Sequence, residues 1–306
     1  MIFYGIILGL IAAFSQSMSY VFARQFSSGR TSPQARLLVA SHMAMGIAGL
    51  VILPLVWPAG IHWDWHWGRP LILCAVFYLL GQGLMFVALH AAEASKISPL
   101  LALKVVMLAF LTWWLMGTPL DFPQWVGVML CLAGTFLLNF GGGGIGSRGI
   151  VGVLGACLFY SLSDMNITIL VKAVEAQHFT RWNSVLFSVC TSYILCGLIC
   201  GPLIFFVKNF RRNDFKDSIG FAFFWLAAMV FLYATFSIVG TVYGNILQST
   251  RGIISIILGV IIAGMGHHHI EAHMTRPVFI RRLIAGVIMT FAIIAFGWNQ
   301  LMQYIS

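Results

Sequence analysis

Charge is what this chain has least of. Of its 306 residues only 8% are Asp, Glu, Lys or Arg, and eight in all are acidic, whereas a soluble domain has about a quarter of its residues charged. A water-facing surface cannot be built from that supply. The same scarcity argues against an enzyme, because hydrolysis or group transfer at membrane depth needs a general base, a nucleophile dyad or a metal cluster. Asp164 is the one acid well inside an apolar stretch, and it has no second deep carboxylate to work with. No Gly-rich phosphate-binding loop of the P-loop kind occurs, so ATP-driven transport by this chain alone is unsupported, and no cofactor is expected. The cysteines, Cys74, Cys131, Cys157, Cys190, Cys196 and Cys200, all fall inside apolar stretches. There they pack as small hydrophobes and are not expected to form disulfides or zinc sites.

Apolar sequence is what is abundant: hydrophobic residues make up 60% of the chain and the mean hydropathy is +0.95. Ten apolar stretches can be read, at about 2–23, 37–57, 70–91, 97–116, 123–140, 149–173, 184–207, 219–240, 246–265 and 281–298. Most are near the ~20 residues a bilayer crossing requires. The first lacks a basic leader region and reads as a transmembrane helix, not a removed signal. A Gly-rich segment, Gly141 to Arg148, divides the ten into a first five-helix repeat (1–140) and a second (149–306). Five is odd, so a second copy that begins a new crossing must sit upside down relative to the first. The expected fold is an all-α membrane protein of ten transmembrane helices in two inverted five-helix repeats, an architecture of secondary transporters.

An ungapped alignment supports the repeat: Gly9 to Ser17 over Gly155 to Ser163 matches one glycine and two serines. Lys104, mid-way along the fourth stretch, and Arg251, in the ninth, fall within one turn of each other when Met116-Gly117 is laid over Met265-Gly266. A cation near the bilayer centre costs about 2.5–3.5 kcal/mol, so such residues face the bundle interior or a watered cavity and mark a substrate path. They need an anion. Within the chain, Glu93 could serve Lys104 and Asp164 could serve Arg251. Alternatively a substrate supplies the anion, or the side chains snorkel to an interface.

Helical spacing places polar residues in stripes around these cations. Gly244, Gln248, Arg251 and Ser255 share one face, as do Tyr160, Asp164, Thr168 and Lys172, and Gln16, Tyr20 and Arg24. A polar stripe can be interhelical glue worth only about 0.6 kcal/mol per hydrogen bond, but three stripes with a charge in two of them favour a cavity. The expected substrate-binding set is therefore Lys104, Arg251, Gln248, Ser255, Tyr20 and Tyr160, with Asp164 and Glu93 as coupling or counter-ion groups. Gly5-xxx-Gly9, Gly197-xxx-Gly201 and Gly240-xxx-Gly244 read as close helix crossings.

With these elements in view, the chain resembles the drug/metabolite transporter superfamily, in its EamA-type ten-helix branch. The resemblance rests on the doubled layout, on Ala94-Ser95-Lys96-Ile97-Ser98-Pro99 opening the fourth helix, and on Met116-Gly117 followed by Gln124-Trp125-Val126-Gly127 and Ala133-Gly134. It implies a cavity between the repeats and a substrate among amino acids, other metabolites, nucleotide sugars or sugar phosphates. It also implies that basic residues on the fourth and ninth helices, here Lys104 and Arg251, belong to the site of phosphate-handling branches. The chain departs from the family at Gly117-Thr118 and Gly266-His267, where a Gly-Glu pair is frequent.

Alternating the loops puts twelve basic residues on one side, among them Arg30, Arg36, Arg148 and Arg211, and Arg69, Lys172 and Arg181 on the other. The positive-inside rule then places both termini outside the cytoplasm. The net charge of +9 suits anionic head groups, and the short Arg211-Arg212 run beside Asp214 and Asp217 reads as a solvated juxtamembrane segment, not a nucleic-acid patch. Trp57, Trp63, Trp65 and Trp67 read as an interfacial belt. The His267 to His273 segment reads as a solvated loop, since adjacent histidines cannot all face one ion, and no metal site is assigned. His42 and His90 read as hydrogen-bonded core residues.

The functional expectation is a secondary transporter or exchanger of a small anionic metabolite, such as an organic or sugar phosphate or a carboxylate, working by alternating access in a bacterial inner membrane. A flippase for an anionic lipid-linked sugar, and a non-transporting subunit or receptor, stand as alternatives. The expected partners are the substrate and the bilayer, with a homodimer left open.

Overall fold

The computed structural model describes residues 1–27, 30, 33–57, 60–91, 101, 103–117, 119–139, 147–251, 253, 254, 257, 258, 276–299 and 302. Among these the chain forms ten α-helices: α1 Ile2–Ser27, α2 Pro33–Val56, α3 Trp65–Ala91, α4 Leu103–Met116, α5 Phe122–Asn139, α6 Ser147–Glu175, α7 Arg181–Cys200, α8 Arg212–Val239, α9 Thr241–Ser249 and α10 Arg276–Phe296. A 3₁₀ turn, Gly201–Phe205, follows α7. No strand occurs among the described residues. Six helices are long and apolar enough to cross a membrane, and three stretches, within α4, α5 and α10, are apolar but shorter. Val51, Leu55, Trp114 and Phe122 point outward and are exposed, as a lipid-facing surface allows and a soluble one does not.

Several helices start earlier than hydropathy alone indicates, because polar residues hold their first turns. Thr180 accepts a hydrogen bond from the Asn183 amide at 3.3 Å and so caps α7, satisfying one of the orphan N–H groups of a helix start. At α8, the Asp214 carboxylate accepts from the Arg211 amide at 2.8 Å and takes a bidentate contact from Arg36 at 2.6 and 2.9 Å. Arg30 completes this cluster, with its Nε 3.7 Å from Asp214 and a second contact to Asp217. Asp214 is fully buried, which corrects the reading of this run as merely solvated: part of it is a charged joint between the α1–α2 connection and α8. Between α8 and α9 the chain turns on Gly240 at φ +84°, a conformation costly for any residue with a β-carbon.

Four close helix pairs carry the packing: α3 with α6, α1 with α8, α2 with α7, and α5 with α10. Glycine contacts give their directions. Gly46 lies against Tyr193 and Gly197, and Gly49 against Cys190 and Ile194. Residue numbers rise on α2 as they fall on α7, so the two run antiparallel. The same reversal holds for Gly81 against Tyr160 and Gly152 against Ala88, for Gly5 against Val239 and Gly220 against Phe22, and for Gly127 against Phe296 and Gly134 against Met289. Each pair joins one helix from before residue 140 to one from after residue 147. A β-carbon at Gly197 would stand 3.0 Å from the His42 carbonyl oxygen and 3.1 Å from the Gly46 Cα; absent side chains let these two helices meet backbone to backbone. Gly5 and Gly9 also pack tightly, whereas Gly201 faces open space.

The tryptophan segment divides. Trp57, Trp63 and Trp65 are exposed, as an interfacial belt requires, but Trp67 is buried. Its ring meets Phe187 edge-on at 5.4 Å, and its Nε1 donates to the His62 carbonyl at 3.1 Å. Trp67 is therefore a core residue at the start of α3. All six cysteines are buried.

Candidate functional site

A cavity of about 290 Å³ lies inside the bundle, lined from α1, α2, α3, α4, α6, α7, α8 and α9. It sits at the lower edge of the roughly 300–1,000 Å³ of small-molecule sites. Its lining runs from mid-bundle residues such as Ser163, Ser192 and Tyr233 to Ala23, Gln34, Leu101 and Phe221, near the helix ends that carry the basic connections.

Six of the residues expected at a site line this cavity: Tyr20, Lys104, Tyr160, Asp164, Gln248 and Arg251. Ser255 and Glu93 lie outside the described residues, as do Ala94 to Pro99, Gly141 to Gly146 and His267 to His273. The polar stripes only partly face inward. Thr168 bonds the Thr241 hydroxyl at 2.8 Å, Gly244 packs on Phe236, and neither Arg24 nor Lys172 is among the lining residues.

The ion pairing differs from the arrangement open to the sequence. Asp164 pairs with Lys104, Nζ to Oδ2 at 2.6 Å, and the same Oδ2 accepts from Asn245 at 2.8 Å. Arg251 instead donates to Gln16 Oε1 at 3.1 Å. Cross-helix reach explains the change: α4 packs on α6 and brings Lys104 beside Asp164, while α1 packs on α9 and brings Gln16 beside Arg251. Two cations and one carboxylate on the described wall leave 2 − 1 = 1 positive charge for an occupant.

The two cations sit in matching surroundings. Lys104 Nζ is 5.8 Å from the centroid of the Tyr160 ring, and Arg251 Cζ is 5.8 Å from that of Tyr20, within cation–π range. Ser161 donates to the Cys157 carbonyl at 2.7 Å and approaches that of Lys104 at 3.3 Å. Ser17 does the same with the carbonyls of Ala13 at 2.8 Å and Arg251 at 3.0 Å. By environment Ser17 therefore corresponds to Ser161, two residues away from the partner that the ungapped alignment gives it.

Neutral polar groups fill the rest of the wall, and the sequence reading missed most of them. His42 Nδ1 lies 2.8 Å from the Leu38 carbonyl oxygen, which can only accept, so Nδ1 carries the hydrogen. With a neutral ring, Nε2 then accepts from the Tyr78 hydroxyl at 3.1 Å, and that hydroxyl accepts from Gln82 Nε2 at 3.2 Å. Trp225 Nε1 donates to the Tyr193 hydroxyl at 2.8 Å. His42 is hydrogen-bonded and buried, as expected, but it also faces the cavity. Nothing in helical periodicity separates a cavity-lining Tyr or Trp from a core one, and so the signal was absent from sequence.

Comparison with known proteins bears on this geometry. The EamA-like transporter family matches residues 3–140. A probable 4-amino-4-deoxy-L-arabinose-phosphoundecaprenol flippase subunit, ArnE of Pseudomonas fluorescens (strain Pf0-1), is 30% identical over 83 residues, which is 26% of this chain and 72% of the relative. A protein of known crystal structure superposes with a TM-score of 0.67 at 15% identity, covering 95% of both chains, and so shares the fold. The chain is a membrane protein of the EamA-like transporter family.

Proposed function

We propose that the protein is a secondary transporter that carries a small anionic metabolite, an organic or sugar phosphate or a carboxylate, through this cavity by alternating access. The observation that carries the reading is the pair of cations, Lys104 and Arg251, set in matching surroundings on the cavity lining, whose single carboxylate among the described residues is Asp164. Buried charges of one sign in excess call for a mobile counter-charge. Asp164 is the counter-ion of the empty site: an arriving anion competes with it for Lys104, and the released carboxylate can then take up a proton.

Two inverted repeats, divided at 141–148, are the architecture we infer. Antiparallel packing of α2 on α7 and of α5 on α10 supports it, since these are the second and fifth helices of each half and equivalents that oppose one another mean an inverted copy. The exchange of α1–α8 for α3–α6 under the same shift supports it too. Because every close pair mixes the halves, the rigid bodies that rock during transport each contain helices from both. In this reading the basic connections lie on the cytoplasmic side, as the positive-inside rule expects.

A flippase for an anionic lipid-linked sugar is the second reading, favoured by what the ArnE relative is described as moving. It requires a cavity open sideways to the bilayer. Uptake into vesicles of purified protein tests both. Saturable uptake of a soluble organic phosphate or carboxylate that fails in Lys104→Gln and Arg251→Gln supports the first; flipping of a polyprenyl-phosphate sugar without soluble uptake supports the second. Binding of either without flux would assign the chain a receptor or subunit role instead.

A further inference from the structure

The connection from α7 to α8 and the first turns of α8 sort their charges by sign. The two carboxylates, Asp214 and Asp217, are taken by Arg36 and Arg30. The four cations, Lys208, Arg211, Arg212 and Lys216, are all exposed and enter no ion pair among the described residues. Four like charges so close in sequence repel one another. They call for an anion from outside the chain.

Apolar side chains stand beside these cations. The 3₁₀ turn after α7 is closed by the Phe206 and Val207 amides, which donate to the Leu203 carbonyl at 3.0 and 3.1 Å, and it leaves Phe205 and Phe206 88% and 81% exposed. Phe210 meets Phe215 edge-on at 5.3 Å, which folds the basic connection against the start of α8. On α8 itself Arg212, Lys216, Ile219 and Phe223 recur at four, three and four residues, and all are exposed. That spacing puts them on one face. The stripe passes from cation to hydrocarbon within about 5 Å of helix rise between Lys216 and Ile219, the step that a bilayer makes from its head groups to its acyl core. A soluble anion matches only the charged part of such a stripe, whereas a phospholipid matches both.

We propose that this corner is a binding site for an anionic phospholipid of the cytoplasmic leaflet, its phosphate held by Arg212 and Lys216 with Lys208 and Arg211 beside them, and its acyl chains along Ile219 and Phe223. The positive-inside rule assigns this connection to the cytoplasm, where the leaflet carries the negative surface potential. Phe205 and Phe206 anchor the turn at the same boundary. A zwitterionic head group brings as much positive charge as negative and gains little here. The site is separate from the transport cavity, since none of the four cations lines it. It shares the start of α8 with the buried Arg36–Asp214 pair, so a bound head group offsets the repulsion on one side of the helix while that pair holds the other.

The site is tested by titrating the purified protein in a neutral detergent with phosphatidylglycerol, phosphatidylcholine or glycerol phosphate, and reading affinity from the rise in melting midpoint. Phosphatidylglycerol should stabilise the protein saturably and phosphatidylcholine should not. Each cation near an anionic surface contributes about fivefold in affinity, so Arg212→Gln with Lys216→Gln should weaken phosphatidylglycerol binding about 25-fold. Arg69→Gln with Lys172→Gln removes two charges from the opposite side and should leave it unchanged. All four of these side chains are exposed, so folding is not at stake. The phosphatidylglycerol shift should persist in Lys104→Gln, because the cavity takes no part. Equal stabilisation by phosphatidylcholine, or equal loss in the two double variants, overturns the site. If the Arg212 and Lys216 double variant weakens glycerol phosphate as much as it weakens the lipid, the patch binds soluble anions and the lipid is overturned. Loss of the shift in Lys104→Gln puts the lipid in the cavity and overturns the site as well.

Discussion

Lys104 and Asp164 allow a structural ion pair to be separated from a transport site by one double-mutant cycle. Their side chains are 19% and 9% exposed and 2.6 Å apart. Lys104→Gln alone leaves the Asp164 carboxylate with Asn245 as its remaining described side-chain donor. Removing one partner of a buried pair costs about 3–5 kcal/mol, and the cavity side of this pair argues for the low end, near 3 kcal/mol. That corresponds to a melting midpoint lower by roughly 5–10 °C in detergent. Asp164→Asn should cost a similar amount, because it strands the ammonium. The double variant Lys104→Gln with Asp164→Asn removes both charges and should recover most of the stability, since replacing a buried pair by neutral groups is often close to neutral.

Stability and transport should then part company. If Lys104 binds the substrate anion, the double variant melts like the wild type and yet takes up substrate about ten- to a hundredfold less well, the worth of a charge-assisted contact of about 1.5–3 kcal/mol. If the pair is structural, uptake returns with stability. Thermal melts and vesicle uptake measured on the four proteins decide it. Full recovery of uptake in the double variant would refute the anion site at Lys104.

Arg251→Gln should fold, since Gln16 loses one hydrogen bond and no carboxylate is stranded, and uptake affinity should fall by roughly tenfold or more; unchanged uptake would remove Arg251 from the site. Gly197→Val should lower the melting midpoint, because its β-carbon would stand only 3.0 Å from the His42 carbonyl oxygen and 3.1 Å from the Gly46 Cα, closer than van der Waals contact with backbone on both sides, and overpacking costs about 1–3 kcal/mol, while Gly201→Ala, facing open space, should leave it unchanged. A reporter active only in the cytoplasm, fused after Ser306, should be silent, and an active one would reverse the assigned orientation. Vesicles carrying Asp164→Asn should lose proton-driven uptake and retain substrate exchange; equal loss of both would make Asp164 structural, and no loss would exclude it from the cycle.

The fold was legible where hydropathy runs long, and less so where it runs short. α1, α2 and α6 lie within a few residues of the expected stretches, because about twenty apolar residues admit few other readings. The starts of α3 and α8 were missed by five and seven residues: Trp65 against 70 and Arg212 against 219. Polar first turns hold these helices, and a hydropathy window is blind to capping. Pairing was less legible still. Charge alone allowed Asp164 to serve Arg251, and only the packing of α4 on α6 shows that it serves Lys104. The cations were found because a charge in an apolar run is rare and costly; His42, Tyr78, Tyr193 and Trp225 were not, because the same residues are common in any buried helix face.

Asp164 also ties the site to the contact between α6 and α9. Its Oδ2 holds Lys104 on one side and Asn245 on the other, and Asn245 reaches back to the Thr241 carbonyl at 2.9 Å. Thr241 follows the Gly240 turn and bonds Thr168, one helical turn beyond Asp164 on α6. These contacts join α6 to α9 next to a turn whose glycine has the freedom to move. An anion that draws Lys104 away leaves the carboxylate with Asn245 alone, and a proton on that carboxylate weakens the remaining bond by removing its charge. Substrate binding and opening of the α6–α9 contact would thus draw on the same oxygen atom, which gives the chain a physical means of coupling its load to its conformation.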